Sequence, residues 1–220
     1  MATPVFDQLH LRFASGCRDA VATAATNGLD LLVADRDNYL NAAYQKYILL
    51  AAQSYENDPE KFKILFQSIV KASSSLTAVA GVITLSSITD YGFFLSLNST
   101  TGGISVTRKS QEDFYRILRG TSGEIQATAY SKFCLPSNTQ ILIAPANDVD
   151  SYDLTYIILP VNITEGGATD IPLTAIHFDV ILDFALWYFY KDKQEFDIAQ
   201  SYLKDGYLTS PFKLKMEPVQ

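Results

Sequence analysis

The sequence predicts an α+β fold: N- and C-terminal helical hairpins form a bundle, with an inserted antiparallel β unit and an extended C-terminal arm. Apolar residues recur at helical spacing at both ends of the chain, whereas the middle consists of β-rich runs separated by turn residues about every ten positions. With 48% hydrophobic residues among 220, the chain can bury a substantial core. The predicted boundaries are 1–78 and 166–206 for the bundle, 79–165 for the β-rich subdomain and 207–220 for the arm.

The N-terminal part predicts helices with clear start signals. Asp35 or Asp37 is expected to begin the second helix, and Asp58 followed by Pro59 the third, which is expected to end at serines 73–75. The second helix has an apolar face with helical spacing, formed by Leu40, Tyr44, Tyr47, Ala51 and Tyr55.

The middle part predicts short strands. Its runs are rich in Val, Ile, Thr, Tyr and Phe, and Gly, Asn and Asp residues separate them, which is typical of an antiparallel β unit. The stretch Gln111 to Leu118 interrupts these runs and predicts a short helix on a crossover.

The C-terminal part predicts a helical hairpin and then the arm. Its second helix is expected over Glu195 to Asp205, with Gly206 as the terminal cap. The first helix, Pro172 to Lys191, is apolar on two opposite sides. One side holds Leu173, Ile176, Val180, Ile181, Phe184, Trp187 and Tyr188, and the other holds Phe178, Leu182, Ala185, Leu186 and Phe189.

Two apolar sides on one helix require two covering layers. The second layer is either another subunit or a further part of the same chain. In the first case, the subunit-interface candidates are Phe178, Leu182, Leu186 and Phe189.

Charge and composition argue against several classes of protein. The formal net charge is −7 and the acidity is spread along the chain, which argues against a protein that grips nucleic-acid phosphates. The sequence has no run of 18 apolar residues, so we expect no membrane span, and residues 1–13 do not have the pattern of a signal peptide. Cys17 and Cys134 are too few for a disulfide framework and fit reduced, buried residues.

The sequence contains no recognisable catalytic or phosphate-binding motif, and we expect neither an enzyme nor a cofactor. His177 is a conceivable general base, but a packed core histidine is the simpler interpretation. Asp148, Asp150 and Asp153 crowd one loop and offer oxygen ligands for calcium, although their spacing is not that of an EF-hand and a solvated loop is the simpler interpretation. We therefore predict no metal site.

Three segments resemble head-to-tail adaptor proteins of tailed bacteriophages. The stretch DRDNYLNAAYQKYI is similar to their early helix, and DYGFFLSLNST to the β portion of ring proteins from podovirus-like and crAss-like phages. The stretch DIPLTAIHFDVILDFALWYFYKDKQEFDIAQSYL resembles their closing hairpin. The matching positions of this hairpin are His177, Asp179, Ile181, Leu182, Ala185, Phe196, Ala199 and Tyr202.

This resemblance implies a structural protein of the virion neck or tail, made in the host cytoplasm. Such proteins form a homo-oligomeric ring, commonly of about twelve copies, that joins the portal protein to other ring and tail proteins around the DNA passage. In such a ring, DNA only passes through the central channel. By the same resemblance the C-terminal arm docks on the portal, and its apolar residues are the portal-contact candidates Phe212, Leu214 and Met216.

Two other classes of protein remain open. The β unit is suited to a module that binds carbohydrate or peptide on a virion surface or tail protein. An enzyme built on His177 with Asp179 or Asp183 is the third hypothesis.

Overall fold

The computed structural model describes residues 5–17, 33–55, 58–120, 125–167 and 170–211. The chain divides into two compact units, a helical unit formed by 1–68 with 160–220 and a β unit formed by 69–159. The predicted C-terminal arm lies almost entirely outside the described residues, because the description ends at Pro211.

The described residues contain six α-helices and seven strands. The helices are α1 (Val5–Gly16), α2 (Val33–Gln53), α3 (Pro59–Leu65), α4 (Gln111–Leu118), α5 (Phe178–Asp192) and α6 (Phe196–Thr209), with a 3₁₀ turn at Ala175–His177. The strands are β1 (Val70–Thr77), β2 (Val82–Thr84), β3 (Tyr91–Ser99), β4 (Ser105–Arg108), β5 (Phe133–Pro136), β6 (Gln140–Ala144) and β7 (Ser151–Ile158).

The predicted fold class, α+β with a bundle of helical hairpins and an inserted antiparallel β unit, is wrong. The fold is mixed α/β, with 43% helix and 24% strand, and the seven strands form one nearly closed, barrel-like sheet. The sheet is more than an insert because its strands bury a core of their own. The buried residues of this core include Leu97, Ile141, Ile143, Tyr152 and Leu154.

The sheet has the order β1-β7-β3-β4-β5-β6-β2 and contains both strand orientations. Strands β4 and β5 are parallel, whereas the other pairs are antiparallel. A parallel pair of neighbours needs a crossover connection, and helix α4 lies on it. The prediction of a short helix over Gln111–Leu118 is confirmed with these bounds; Ser110 caps it by accepting a hydrogen bond from the Asp113 N–H.

Strand β1 replaces the end of the predicted third helix. The predicted start of that helix is confirmed, since the Asp58 carboxylate accepts a hydrogen bond from the Lys61 N–H and α3 begins at Pro59. The helix ends at Leu65, however, and Val70–Thr77 is a strand paired with β7. The β-branched and serine residues of this stretch disfavour helix, and pairing with β7 supplies the hydrogen bonds.

Helix α5 lies among α1, α2 and α6 and is the central element of the helical unit. Its Phe189 ring meets Phe13 of α1 and Tyr39 of α2 edge-on, with centroids 6.1 and 5.9 Å away. On another side, the Phe184 ring meets Tyr207 of α6 edge-on at 5.6 Å. The chain therefore supplies covering layers on more than one side of α5.

Helix α6 passes through Gly206 instead of ending there. The predicted cap at Gly206 is wrong, since α6 continues to Thr209. A Cβ atom at position 206 would lie 3.0 Å from Cε1 of Phe184, which is fully buried. The missing side chain therefore allows α5 and α6 to approach closely, and burial of Phe184 offsets the low helix propensity of glycine.

The segment between β7 and α5 is held on α2 by polar contacts. The Asn41 side chain bonds the backbone of Ile163 twice, as a donor to its oxygen at 2.7 Å and as an acceptor from its N–H at 2.9 Å. The Asp37 carboxylate accepts the N–H of Glu165 at 3.2 Å. These side chains satisfy backbone groups of a segment without regular secondary structure, which would otherwise be costly to bury.

Among the described residues, no helix is both long enough and apolar enough to cross a bilayer.

We expect Gly206→Ala to destabilise the protein although alanine favours helix. The gain of about 1 kcal/mol in helix propensity is smaller than the cost of overpacking, about 1–3 kcal/mol, because the new methyl group meets the buried Phe184 ring. Urea unfolding followed by circular dichroism measures the difference. Ser201→Ala, at an exposed position of the same helix, is the control and should not lower stability. A Gly206→Ala variant at least as stable as wild type would contradict the packing argument.

Candidate functional site

The four predicted subunit-interface residues lie on α5, and the chain itself covers most of their surface. Phe178 and Phe189 are each 8% exposed and Leu186 is 3% exposed, while Leu182 is half-buried. Leu186 packs closely on the end of α1, since a Cβ atom at Gly16 would lie 2.9 Å from its methyl groups. The contacts thus agree with the interpretation that a further part of the same chain supplies the second layer.

Large apolar side chains remain exposed on α6. Phe196 is 60% exposed, Leu208 is 66% exposed and Ile198 is 37% exposed. Ala199, three positions along the helix, is 2% exposed, whereas Phe196 lies in the first turn of α6. Exposed aromatic and aliphatic groups on a rigid helix are typical of protein contact surfaces.

The portal-contact candidates Phe212, Leu214 and Met216 lie outside the described residues. The start of the predicted arm at residue 207 falls within α6, where Tyr207 is buried against Phe184.

His177 is fully buried and its ring nitrogens have structural partners. The Tyr47 hydroxyl lies 2.7 Å from Nδ1, and the Leu65 carbonyl oxygen lies 3.0 Å from Nε2. Burial lowers the pKa of His177 and raises that of Tyr47, so Tyr47 donates to a neutral imidazole whose Nε2–H donates to Leu65. The ring also stacks on Phe66 with centroids 4.7 Å apart. These contacts are those of a packed core histidine.

The two carboxylates that the enzyme hypothesis joined to His177 have partners of their own. Asp179 is exposed and forms an ion pair with Arg12 at 2.5 Å. Asp183 accepts a hydrogen bond from the Thr209 hydroxyl at 3.0 Å. Burial raises the pKa of Asp183 to about 6, and the nearby carboxylates of Asp205 and Asp179 act in the same direction.

A buried lysine from another part of the β unit forms ion pairs with two aspartates of the predicted aspartate loop. Lys132, at the start of β5, is 3% exposed, and its Nζ lies 2.6 Å from Asp148 Oδ2 and 2.5 Å from Asp150 Oδ2. Its third hydrogen bond goes to the Tyr152 hydroxyl at 3.0 Å. We call Lys132, Asp148, Asp150 and Tyr152 the Lys132 cluster.

Hydrogen bonds in the Lys132 cluster converge on Asp148. Its Oδ1 atom accepts from the Tyr152 hydroxyl at 2.7 Å and from the Asp150 N–H at 2.9 Å. The Ser99 hydroxyl donates to Asp150 Oδ2 at 3.2 Å. Each polar side chain of the cluster therefore has a hydrogen-bond partner in the protein, as groups buried in a sheet core require.

The resting charge state of the Lys132 cluster is an ion pair. Burial alone would lower the pKa of Lys132, but its hydrogen bonds to Asp148, Asp150 and Tyr152 outweigh burial and raise it. Burial would likewise raise the pKa of Asp148, yet hydrogen bonds from Lys132 and Tyr152 leave it below its ordinary value. Burial raises the pKa of Tyr152, which therefore remains a hydrogen-bond donor.

The sequence interpretation of a solvated aspartate loop is wrong for Asp148, which is 7% exposed, whereas Asp153 is exposed. The sequence pattern does indicate that these residues meet, because Asp148, Asp150 and Tyr152 alternate with the period of a strand and would share a face. The partner Lys132 was not recognisable, because the topology alone places the start of β5 next to this loop.

A second buried histidine lies in the helical unit. His10 is 1% exposed, and its two ring nitrogens lie 3.3 Å from Asp37 Oδ1 and 3.5 Å from Glu165 Oε2. These carboxylates come from α2 and from the segment that α2 holds, so only tertiary packing brings them to His10.

Within the described ranges, no group of three or more His, Cys, Asp or Glu side chains is placed to hold a metal ion. In comparisons with known proteins, no family model and no curated protein match this chain.

We expect Asp183→Asn to stabilise the protein at pH 7 but not at pH 4. Above pH 6, Asp183 is ionised in both states and the folded state bears the cost of burying the charge. As the pH falls from 6 towards 3.8, the folded state binds a proton that the unfolded state does not, so the wild type recovers this stability. The gain from the variant at pH 7 should be about 1 kcal/mol once partial exposure is considered.

Urea unfolding of both proteins at pH 4, 5, 6 and 7 measures this effect. Gln200→Ala, an exposed change on α6, serves as the control and should give a pH-independent difference from wild type. A constant difference between Asp183→Asn and wild type across the series would contradict the assignment of a raised pKa to Asp183.

Proposed function

We propose that this protein is a structural protein of a phage virion, a head-to-tail adaptor whose ring joins the portal to the tail and lines the DNA passage. One observation carries the proposal beyond the sequence resemblance. The resembling segments DRDNYLNAAYQKYI and DIPLTAIHFDVILDFALWYFYKDKQEFDIAQSYL are more than 120 residues apart, yet α2 and α5 pack against each other in one unit.

Residues that carry the resemblance are buried on both of these helices. Leu40 and Ala43 of α2 are fully buried, as are Ile181 and Ala185 of α5. On α6, Tyr202 stacks on Tyr190 with centroids 5.6 Å apart and an angle of 7° between the rings, and Ala199 is 2% exposed. A pattern that fixes helix packing supports a shared helical unit better than a chance match of surface residues would.

Contacts between copies in the proposed ring are assigned to the exposed apolar residues of α6. The sides of α5 are largely covered within the chain, whereas Phe196, Ile198 and Leu208 of α6 are large apolar groups that remain exposed. A ring needs a head-to-tail contact, in which this surface meets a different surface of the next copy. The residues of the C-terminal arm, Phe212, Leu214 and Met216, are assigned to the portal, where an extended segment can add to a sheet or fill a groove.

The negative net charge of the chain is compatible with a channel through which DNA passes. A net charge of −7 repels the phosphate backbone, so DNA can pass without being held.

A binding module is the second candidate, and one observation favours it. Tyr130 is 85% exposed in the turn formed by Thr128–Ser131 of the β unit, and exposed tyrosines are common in carbohydrate and peptide contacts. Binding of the isolated chain on a glycan array, lost in Tyr130→Ala, would favour this candidate over the adaptor.

We expect the double change Phe196→Glu and Leu208→Glu to weaken assembly without unfolding the chain. Both side chains are mostly exposed, so the charges cost little folding stability but oppose burial in an interface. Ring assembly on the purified portal protein, followed by negative-stain microscopy and mass photometry, measures the effect. Ser201→Glu is the control, because it adds a charge at an exposed polar position of the same helix.

The position and multiplicity of the chain in a particle reconstruction decide the proposed function as a whole. A ring between portal and tail is the expected result. A chain located only in tail fibres, or absent from the particle, would overturn it.

A further inference from the structure

The Lys132 cluster holds the amino group of a lysine against the carboxyl group of an aspartate inside the β unit. The Nζ atom of Lys132 lies 2.6 Å from Asp148 Oδ2, and the two residues are 3% and 7% exposed. The fold already holds the amine and the carboxyl group in contact, so their condensation does not have to lose the translational and rotational entropy of bringing two groups together. Their burial also limits access of the water that would reverse the condensation.

The other carboxylate oxygen of Asp148 lies where developing negative charge would be stabilised. Its Oδ1 accepts hydrogen bonds from the Tyr152 hydroxyl at 2.7 Å and from the Asp150 N–H at 2.9 Å. Two donors on one oxygen, one of them a backbone amide, are the arrangement that stabilises the oxyanion of a tetrahedral intermediate in acyl transfer.

Asp150 is placed to move the protons. Its Oδ2 lies 2.5 Å from Lys132 Nζ, so it can accept a proton from the ammonium group and release the amine as the nucleophile. The same carboxyl group can then return the proton to the departing Oδ2 of Asp148, because both oxygens lie within hydrogen-bond distance of the same Nζ atom.

We propose that Lys132 and Asp148 join in an intramolecular isopeptide bond, with Asp150 as the proton carrier. The Nζ–Cγ bond forms and the Cγ–Oδ2 bond of Asp148 breaks. Two protons of the ammonium group leave with Oδ2 as one water molecule, and one remains on the amide nitrogen. The reaction needs no oxidant, reductant or further reactant.

A second lysine–aspartate pair in the β unit serves as an internal control for this reaction. Lys71 and Asp90 form a pair at 2.6 Å, and the Tyr156 hydroxyl donates to Asp90 Oδ1 at 2.9 Å, as Tyr152 does to Asp148. The Lys71 and Asp90 side chains are, however, 52% and 39% exposed. Solvation lowers the reactivity of such a pair, so we expect Lys71 to remain a free amine.

The bond would close a covalent loop between the start of β5 and the segment before β7. Such a loop restricts the unfolded chain, as a disulfide does, but is not lost under reducing conditions. This inference is independent of the proposed function, since it follows from the Lys132 cluster alone.

Mass spectrometry of the purified, denatured full chain tests the bond. The expected intact mass is below the sequence mass by one water molecule. Trypsin should then fail to cleave after Lys132 and should leave residues 120–191 as one piece, because Arg119 and Lys191 are the neighbouring cleavage sites. An intact mass equal to the sequence mass after prolonged incubation, or a water loss that maps elsewhere, would overturn the proposal.

Matched variants assign the roles. Lys132→Met and Asp150→Asn should retain the full mass, the second because the proton carrier is lost. Asp148→Asn should lose ammonia instead of water if the reaction proceeds. Lys71→Met is the control and should show the same water loss as wild type. Because the wild-type mass is read without any substitution, a variant that fails to fold does not weaken the test.

Discussion

The helical unit depends on covering a helix that is apolar on opposite sides. Burial of a large apolar side chain contributes roughly 1.5–3 kcal/mol, so α5 cannot leave either side in water. The chain solves this with its own helices: Phe189 packs on α1 and α2, and Phe184 packs on α6. Gly16 and Gly206 are part of the solution, because a Cβ atom at these positions would crowd Leu186 and Phe184 of α5, respectively.

The β unit meets a different constraint, the placement of charges inside a sheet. Lys132, Asp148 and Asp150 are tolerated there because each makes short hydrogen bonds to the others, and Tyr152 completes the network. A buried ion pair of this kind adds little net stability, since desolvation offsets the attraction between the charges. Its geometry is more informative than its energy, and the proposed isopeptide bond rests on that geometry.

The two proposals assign different tasks to the two units. The helical unit carries two of the three segments that resemble adaptor proteins and the exposed apolar side chains of α6, and so is the proposed region of assembly. The β unit carries the proposed covalent link. Neither proposal uses His177, whose partners Tyr47 and Leu65 satisfy both ring nitrogens.

The sequence by itself determined local structure. Helix starts at Asp58 and Ser110, the crossover helix Gln111–Leu118 and the two-sided character of α5 follow from capping and periodicity, which neighbours along the chain specify. Tertiary structure alone decided which surfaces meet. It made Val70–Thr77 a strand by pairing it with β7, gave the β4–β5 pair its parallel orientation, and brought Lys132 to the aspartates. These outcomes depend on contacts between residues far apart in sequence, for which local patterns contain no information.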